Sequence, residues 1–231
     1  MNIIITGGSR GIGKETAILM AQDMDNQLLV TGRDEKALKT LASRCSHQNL
    51  SYLRMDLSTI EKEVKAAREN IFNRFSKVDI LINCAGSLTV KDFLEIRNDE
   101  AREMMETNFF GPASLIRLVV PLMPSGSHIV NITSMGGFQG STKFRGMAFY
   151  SASKAALACL TECLATEFTD LGISVNCLAL GSVNTEMFRM AFPGHNAHVE
   201  PEEAARFICC FAREGNRFMN GKVVPVALGN P

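Results

Sequence analysis

Short apolar runs alternate with longer stretches in which apolar residues recur every three or four positions, and the alternation holds along nearly the whole chain. The runs at 2–6 (NIIIT), 27–31 (QLLVT), 50–55 (LSYLRM), 78–83 (VDILIN), 127–133 (SHIVNIT), 173–179 (ISVNCLA) and 222–227 (KVVPVA) predict seven strands. Several are continuously hydrophobic, as strands covered on both faces should be. Helical patterns occupy about 12–24, 34–45, 58–75, 99–122, 148–170 and 201–213. Asp34 and Ser58 suit N-caps, and Pro201 followed by two glutamates suits a helix start. Strands alternating with helices predict an α/β fold: a doubly wound, parallel, seven-stranded sheet with helices on both faces. No repeat, low-complexity tract or linker interrupts it, so residues 1–231 read as a single domain.

In such a sheet a ligand lies beyond the carboxyl ends of the strands, so chemistry is sought in the segments that follow them. The first is TGGSRGIGKET, residues 6–16. Gly8, Gly13 and Lys14 partly match a phosphate-cradling P-loop, but Glu15 stands where a hydroxyl must meet magnesium, and that reading fails. Gly7, Gly11 and Gly13, between a strand and a helix, instead fit a dinucleotide loop that brings a pyrophosphate to the helix N-terminus. About 20 residues further on, an acid would hold the ribose of NAD, whereas an arginine can pair with the extra phosphate of NADP. Here the second strand runs into Gly32 and Arg33, and Arg10 lies inside the glycine loop. Two positive charges with no acid at the strand tip predict NADP(H) in preference to NAD(H).

Composition narrows the classes. Twenty-four Lys and Arg balance 24 Asp and Glu, and no basic run offers a footprint for nucleic acid. No stretch approaches the roughly 18 apolar residues of a membrane span, and the apolar run near the N-terminus lacks the flanks of a signal peptide. A soluble, cytoplasmic protein without a membrane partner is expected. The seven cysteines are scattered without C-x-x-C spacing, which fits a reducing compartment. Cys84, Cys159, Cys163 and Cys177 fall in apolar segments and read as small hydrophobes. His195 and His198 form a close pair with no supporting ligand motif, so no metal is expected.

Tyr150 and Lys154, in YSASK, stand one helical turn apart and can act on the same small volume. Together with TGGSRGIG, MDL (55–57), NCAG (83–86), TN (107–108), ITS (132–134) and LGSVNT (180–185), they resemble, in order, the short-chain dehydrogenase/reductase family. The resemblance covers essentially the whole chain and implies a Rossmann fold with a catalytic tetrad of Asn108, Ser134, Tyr150 and Lys154. By that resemblance Tyr150 is the general acid/base and Lys154 lowers its pKa and holds the nicotinamide ribose. Ser134 would bond the substrate oxygen, and Asn108 would support a water relaying protons to Lys154. Gly7, Ser9, Arg10, Gly11, Ile12, Gly13 and Arg33 would hold the phosphates and adenosine. Asp56 and Leu57 would receive the adenine, Asn83, Ala85 and Gly86 would line the cofactor, and Gly181, Val183 and Thr185 would grip the carboxamide.

Four departures stand out. Cys84 replaces a side-chain amide that in the family helps tie the sheet together, which reads as a structural change. Leu180-Gly181 replaces Pro-Gly, freeing a backbone torsion. The segment 135–149 is about three residues longer than the usual spacing, and VALGNP replaces the common Val-Asp-Gly-Gly ending. The substrate loop, about 181–200, is also short. Its Met187, Phe188, Met190 and Phe192 either face a substrate or pack onto the core, and a short lid suggests a shallow or open pocket.

The leading expectation is an NADP(H)-dependent oxidoreductase moving hydride between nicotinamide and a small-molecule carbonyl or alcohol. One alternative is a 3-oxoacyl-acyl-carrier-protein reductase, but 123–128 and 168–173, where basic residues would dock the acidic carrier, hold no Lys or Arg. Another is a non-catalytic NADP(H)-sensing regulator, which would be expected to lose the Tyr or Lys. A homodimer or homotetramer through the helices at about 99–122 and 148–170 follows from the resemblance, although ASLIRLVVPLM equally suits burial against the sheet.

Overall fold

Odd and even residues of the central strands are both buried, and this decides the architecture. In β1 (Asn2–Thr6), Ile3 and Ile5 face one hydrophobic layer and Ile4 the other, all at 0% exposure. A strand apolar on both faces needs helices on both sides. In this computed structural model, which describes residues 1–228, the seven strands are parallel in the order β3-β2-β1-β4-β5-β6-β7. They are β1, β2 (Gln27–Gly32), β3 (Leu50–Arg54), β4 (Ile80–Asn83), β5 (His128–Ser134), β6 (Ser174–Leu180) and β7 (Val223–Val226). The expected doubly wound sheet in a single domain is the observed one. The last three residues of the VALGNP departure lie outside the described residues.

One layer joins Ile3, Ile5, Val30, Ile82 and Val130 to Met20 of α1 (Gly11–Ala21) and to Ile208 and Phe211 of α8 (Pro201–Glu214). The other joins Ile4, Leu29, Leu81, Ile129 and Val175 to Ile71 of α3 (Val64–Phe72), to Leu115 and Val119 of α5 (Gly111–Val119), and to Ala165 of α6 (Ala148–Glu167). The apolar run ASLIRLVVPLM is therefore largely occupied by its own sheet: Leu115, Ile116, Leu118 and Val119 are all buried.

Two of the predicted helices are broken in the structure, and one is capped as the pattern predicts. Asp34 caps α2 (Glu35–Arg44) as expected, accepting from Ala37 N at 3.0 Å. The stretch 58–75 is a 3-10 segment, Leu57–Lys62, followed by α3; its cap is Asp56, which accepts from Ser58 N at 3.0 Å, so Ser58 is not the cap. The stretch 99–122 is α4 (Asn98–Met105), a π segment (Glu106–Phe110) and α5. A π turn inserts one residue and shifts the phase of the apolar pattern by about one position, a skip too small to separate one long helix from two in the run of letters. The substrate loop also contains a short helix, α7 (Glu186–Ala191), and is pinned at its base by pairing between Val183 and Val199. Among the described residues, no helix is long and apolar enough to cross a membrane.

Candidate active site

Strand order reverses between β1 and β4, and the loops leaving these two strands are locked together. Thr6 Oγ1 accepts from Cys84 N at 3.0 Å and from Ala85 N at 3.1 Å. Gly7 follows with φ +72°, and a Cβ there would lie 2.7 Å from Ala85 Cα. Only glycine allows this approach, which opens a crevice at the carboxyl edge of the sheet.

The crevice is fitted for an anion at α1. That helix starts without a side-chain cap and without an acid in its first turn, so its leading N–H groups have no side-chain acceptor. Gly11, Ile12 and Gly13 line the crevice at this end, with Ser9, Arg10 and Arg33 beside them. Asp34 lies on the same rim with its carboxylate committed to the α2 cap. Arg10 pairs with Glu186 at 2.9 Å, and Arg33 approaches Glu103 at 3.5 Å, both pairs about half exposed. Asp56 and Leu57 form the neighbouring shelf. The leading N–H groups of α1 and the two guanidinium groups are donors suited to a phosphate, and the Asp56 carboxylate is an acceptor beside them.

At the opposite end α6 presents Tyr150 in its first turn and Lys154 one turn later, at 9% and 4% exposure. The Ser134 hydroxyl, at the tip of β5, adjoins the phenol. Lys154 Nζ lies 6.0 Å from the Tyr150 ring centroid and donates to Ile132 O at 3.0 Å. Burial pushes the Lys154 ammonium down to about 8. Burial also raises the Tyr150 phenol, against a smaller lowering by the Ser134 hydrogen bond. The expectation that Lys154 lowers the Tyr150 pKa is thus corrected for the protein atoms alone: desolvation dominates, and the ammonium is directed at the Ile132 carbonyl.

Asn108 lies inside the π segment at 0% exposure and does not line the cleft. Its Oδ1 accepts from Ser87 N at 2.8 Å, and its Nδ2 donates to Ser87 O and Ser153 Oγ, both at 2.9 Å. It reaches the Lys154 neighbourhood only across Gly86, where an added Cβ would stand 3.4 Å from Lys154 Nζ and 3.5 Å from Asn108 Oδ1.

One continuous cleft of about 640 Å³ joins the two ends. It gathers Ser134, Tyr150 and Lys154 with Ala85, Gly86, Gly181, Val183 and Thr185 and the glycine-loop residues. Asn83 is the exception among the predicted cofactor contacts. It is buried within the sheet, its Nδ2 donating to Asn131 Oδ1 at 2.8 Å, because its side chain points along the strand layer rather than past the strand end. The amide tie across the sheet is therefore made by Asn83, and Cys84 lines the cleft, its thiol pushed up to about 11 by burial. Cys159 and Cys163, read as small hydrophobes, are exposed on the outer face of α6. Of the lid residues, Met187, Phe188 and Phe192 line the cleft, whereas Met190 is 72% exposed and faces away.

The sequence reading missed Thr107, Leu88, Phe144 and Met147 as lining residues. Phe144 and Met147 belong to the lengthened 135–149 segment, whose extra length was their signal. Nothing in the pattern singled out Leu88. Thr107 precedes Asn108, and its hydroxyl is buried without a partner.

A family model for short chain dehydrogenases matches residues 1–196, and the chain belongs to the short-chain dehydrogenase/reductase family. Dehydrogenase/reductase SDR family member 7B of Danio rerio is 33% identical over 202 residues, 83% of this chain and 64% of the relative, so the chain spans less than two thirds of that protein. A dehydrogenase/reductase from Sinorhizobium meliloti superposes with a TM-score of 0.86 at 27% identity, covering 99% of this chain and 94% of that one. A short chain dehydrogenase from Burkholderia cenocepacia, solved in complex with NADP, gives 0.88 at 23% identity, covering 99% and 96%. The chain has the Rossmann-like fold of these neighbours.

Proposed function

We propose that the protein is an NADP(H)-dependent reductase that interconverts a small-molecule carbonyl and its alcohol, with Tyr150 as general acid/base. The observation that carries this reading is the single cleft running from the uncapped start of α1 to the paired Tyr150 and Lys154. Arg10 and Arg33 support NADP over NAD, since both guanidinium groups stand on the rim beside the glycine loop. The Burkholderia cenocepacia neighbour carries NADP on the same fold; at its identity that likeness speaks to the fold, and the preference here rests on the two arginines.

The bound cofactor would supply the hydride. The chain's own residues manage the oxygen that becomes an alkoxide as the carbonyl carbon is reduced. Tyr150 O–H gives its proton to that oxygen, and in the reverse direction the phenolate takes it back. The raised pKa keeps the phenol protonated at neutral pH, ready for the reducing direction. Ser134 donates a hydrogen bond to the same oxygen. Lys154, cationic below about pH 8, lines the same cleft one helical turn from Tyr150 and would hold the nicotinamide ribose. Asn108 acts indirectly, holding the Ser87 backbone and Ser153 beside the α6 turn that carries Tyr150.

Steady-state rates with NADPH and NADH, for the parent and for Tyr150→Phe, test the reading. Tyr150→Phe is expected to lower kcat about 100- to 10,000-fold, the usual worth of a positioned acid. Near-normal turnover by that variant, or a clear preference for NADH, overturns it.

A further inference from the structure

Beyond Tyr150 the cleft changes character, and the change points to a substrate class. Leu88, Met135, Met147, Phe144, Phe188 and Phe192 surround this end, and none can form an ion pair. Phe192 meets Phe144 edge-on at 5.7 Å between ring centroids and Phe188 at 5.2 Å, so the lengthened 135–149 segment and the lid build one aromatic wall. Phe192 and Leu88 also pack against Met104, Met147 and Tyr150, which seats the wall directly beside the phenol.

Charge is confined elsewhere. The charged side chains lining the cleft are Arg10, Arg33, Asp34, Asp56, Glu186 and Lys154. The first four lie at the glycine-loop and β2–β3 end, and Glu186 is tied to Arg10 at 2.9 Å. Lys154 is directed at the Ile132 carbonyl. Ser134 and Tyr150, the two polar side chains the reaction needs at the carbonyl oxygen, stand where the apolar end begins, and Thr107, Thr133, Ser182 and Thr185 give the cleft hydroxyls but no charge. A carboxylate or phosphate remote from that oxygen would lose its water and find no partner, whereas a hydrophobic ring or branched chain would gain by burial.

We infer that the substrate is an uncharged carbonyl compound bearing a bulky apolar, preferably aryl, group, and that anionic carbonyls are rejected. The inference rests on the reductase reading and adds the identity of the group beside the carbonyl.

The test compares para-isopropylbenzaldehyde with para-carboxybenzaldehyde, which are close in shape and differ in charge. With NADPH, kcat/KM is expected to favour the neutral aldehyde by about a hundredfold, the effect of stranding a carboxylate without a partner. Saturation-transfer NMR of the two corresponding benzyl alcohols gives a second readout that needs no turnover, and the neutral alcohol is expected to bind while the anion does not. Phe192→Ala is expected to reduce the kinetic preference about tenfold by opening the wall. Turnover with equal or reversed preference overturns the substrate assignment and leaves the reductase reading standing. Selective alcohol binding without reduction of either aldehyde overturns the reductase reading and upholds the pocket's preference. Absence of both binding and reduction overturns both.

Discussion

Arg10 Nη1 and Glu186 Oε2 stand 2.9 Å apart, joining the glycine loop to the first residue of α7 across 176 positions of sequence. The pair occupies the guanidinium that the proposed function assigns to the cofactor's extra phosphate. Glu186 and that phosphate therefore compete for one cation. Glu186→Gln is expected to lower KM for NADPH about two- to fivefold and leave NADH unchanged, the range of a single exposed ion pair. Equal changes for both cofactors would show that Arg10 does not read the extra phosphate. Thermal stability should hardly move, because both side chains are more than half exposed.

Lys154 is an ion held where burial disfavours ions. Its pKa falls from 10.5 to about 8, so below pH 8 the folded protein carries a desolvated ammonium, a penalty relieved as pH rises from 8 towards 10.5. Lys154→Met removes the charge and keeps the bulk. It is expected to stabilise the fold at pH 7 by about 1–3 kcal/mol while activity collapses, and the gain should shrink above pH 8. Calorimetric melting at pH 7 and pH 10 checks this, and a lower melting temperature at pH 7 refutes it.

His128 lies far from the cleft, at the opposite end of β5. Its Nδ1 is 3.0 Å from Ala212 O and its Nε2 is 3.0 Å from Asn176 Nδ2. A neutral ring with the proton on Nδ1 satisfies both contacts. Burial pushes its pKa down from 6.5 to about 4. Between pH 6.5 and 4 the unfolded chain takes up a proton that the folded chain refuses, so stability falls through that window by up to about 3 kcal/mol. Urea unfolding at pH 7 and pH 4.5 should show the loss, and His128→Gln should flatten it.

Gly13 packs its α-carbon onto the preceding turn. An added Cβ would meet Gly7 O at 2.5 Å and Thr6 O at 3.2 Å, both backbone atoms that cannot swing aside. Gly13→Ala is expected to displace the loop, weaken NADPH binding at least about tenfold and lower stability by about 1–3 kcal/mol. Fluorescence titration with NADPH and thermal melting would measure the two effects; undiminished binding would mean that the loop can relax without consequence.

Tyr150 and Lys154 were legible because their spacing is local: one helical turn brings them together whatever the rest of the chain does. The glycine loop was legible for the same reason, each glycine answering a backbone demand within a few residues. Asn83 and Cys84 were misassigned to one another's places, since which of two neighbouring residues points into a sheet and which past its end depends on where the strand stops. Phe144 escaped notice because its partner, Phe192, is 48 positions away along the chain. The direction of the Tyr150 shift also could not be read from a Tyr–Lys pair, because desolvation belongs to the whole cleft.

The alternation of apolar runs with helical patterns determined by itself that strands would be buried on both faces, hence a parallel sheet between helical layers, and which loops would follow those strands. Only the tertiary structure decided the strand order that opens the crevice between β1 and β4, the bulge that turns Asn108 inward, and the apolar wall beyond Tyr150. Periodicity reports which face of an element avoids water. It carries no record of which distant face comes to meet it, and the shape and polarity of a site are set by those meetings.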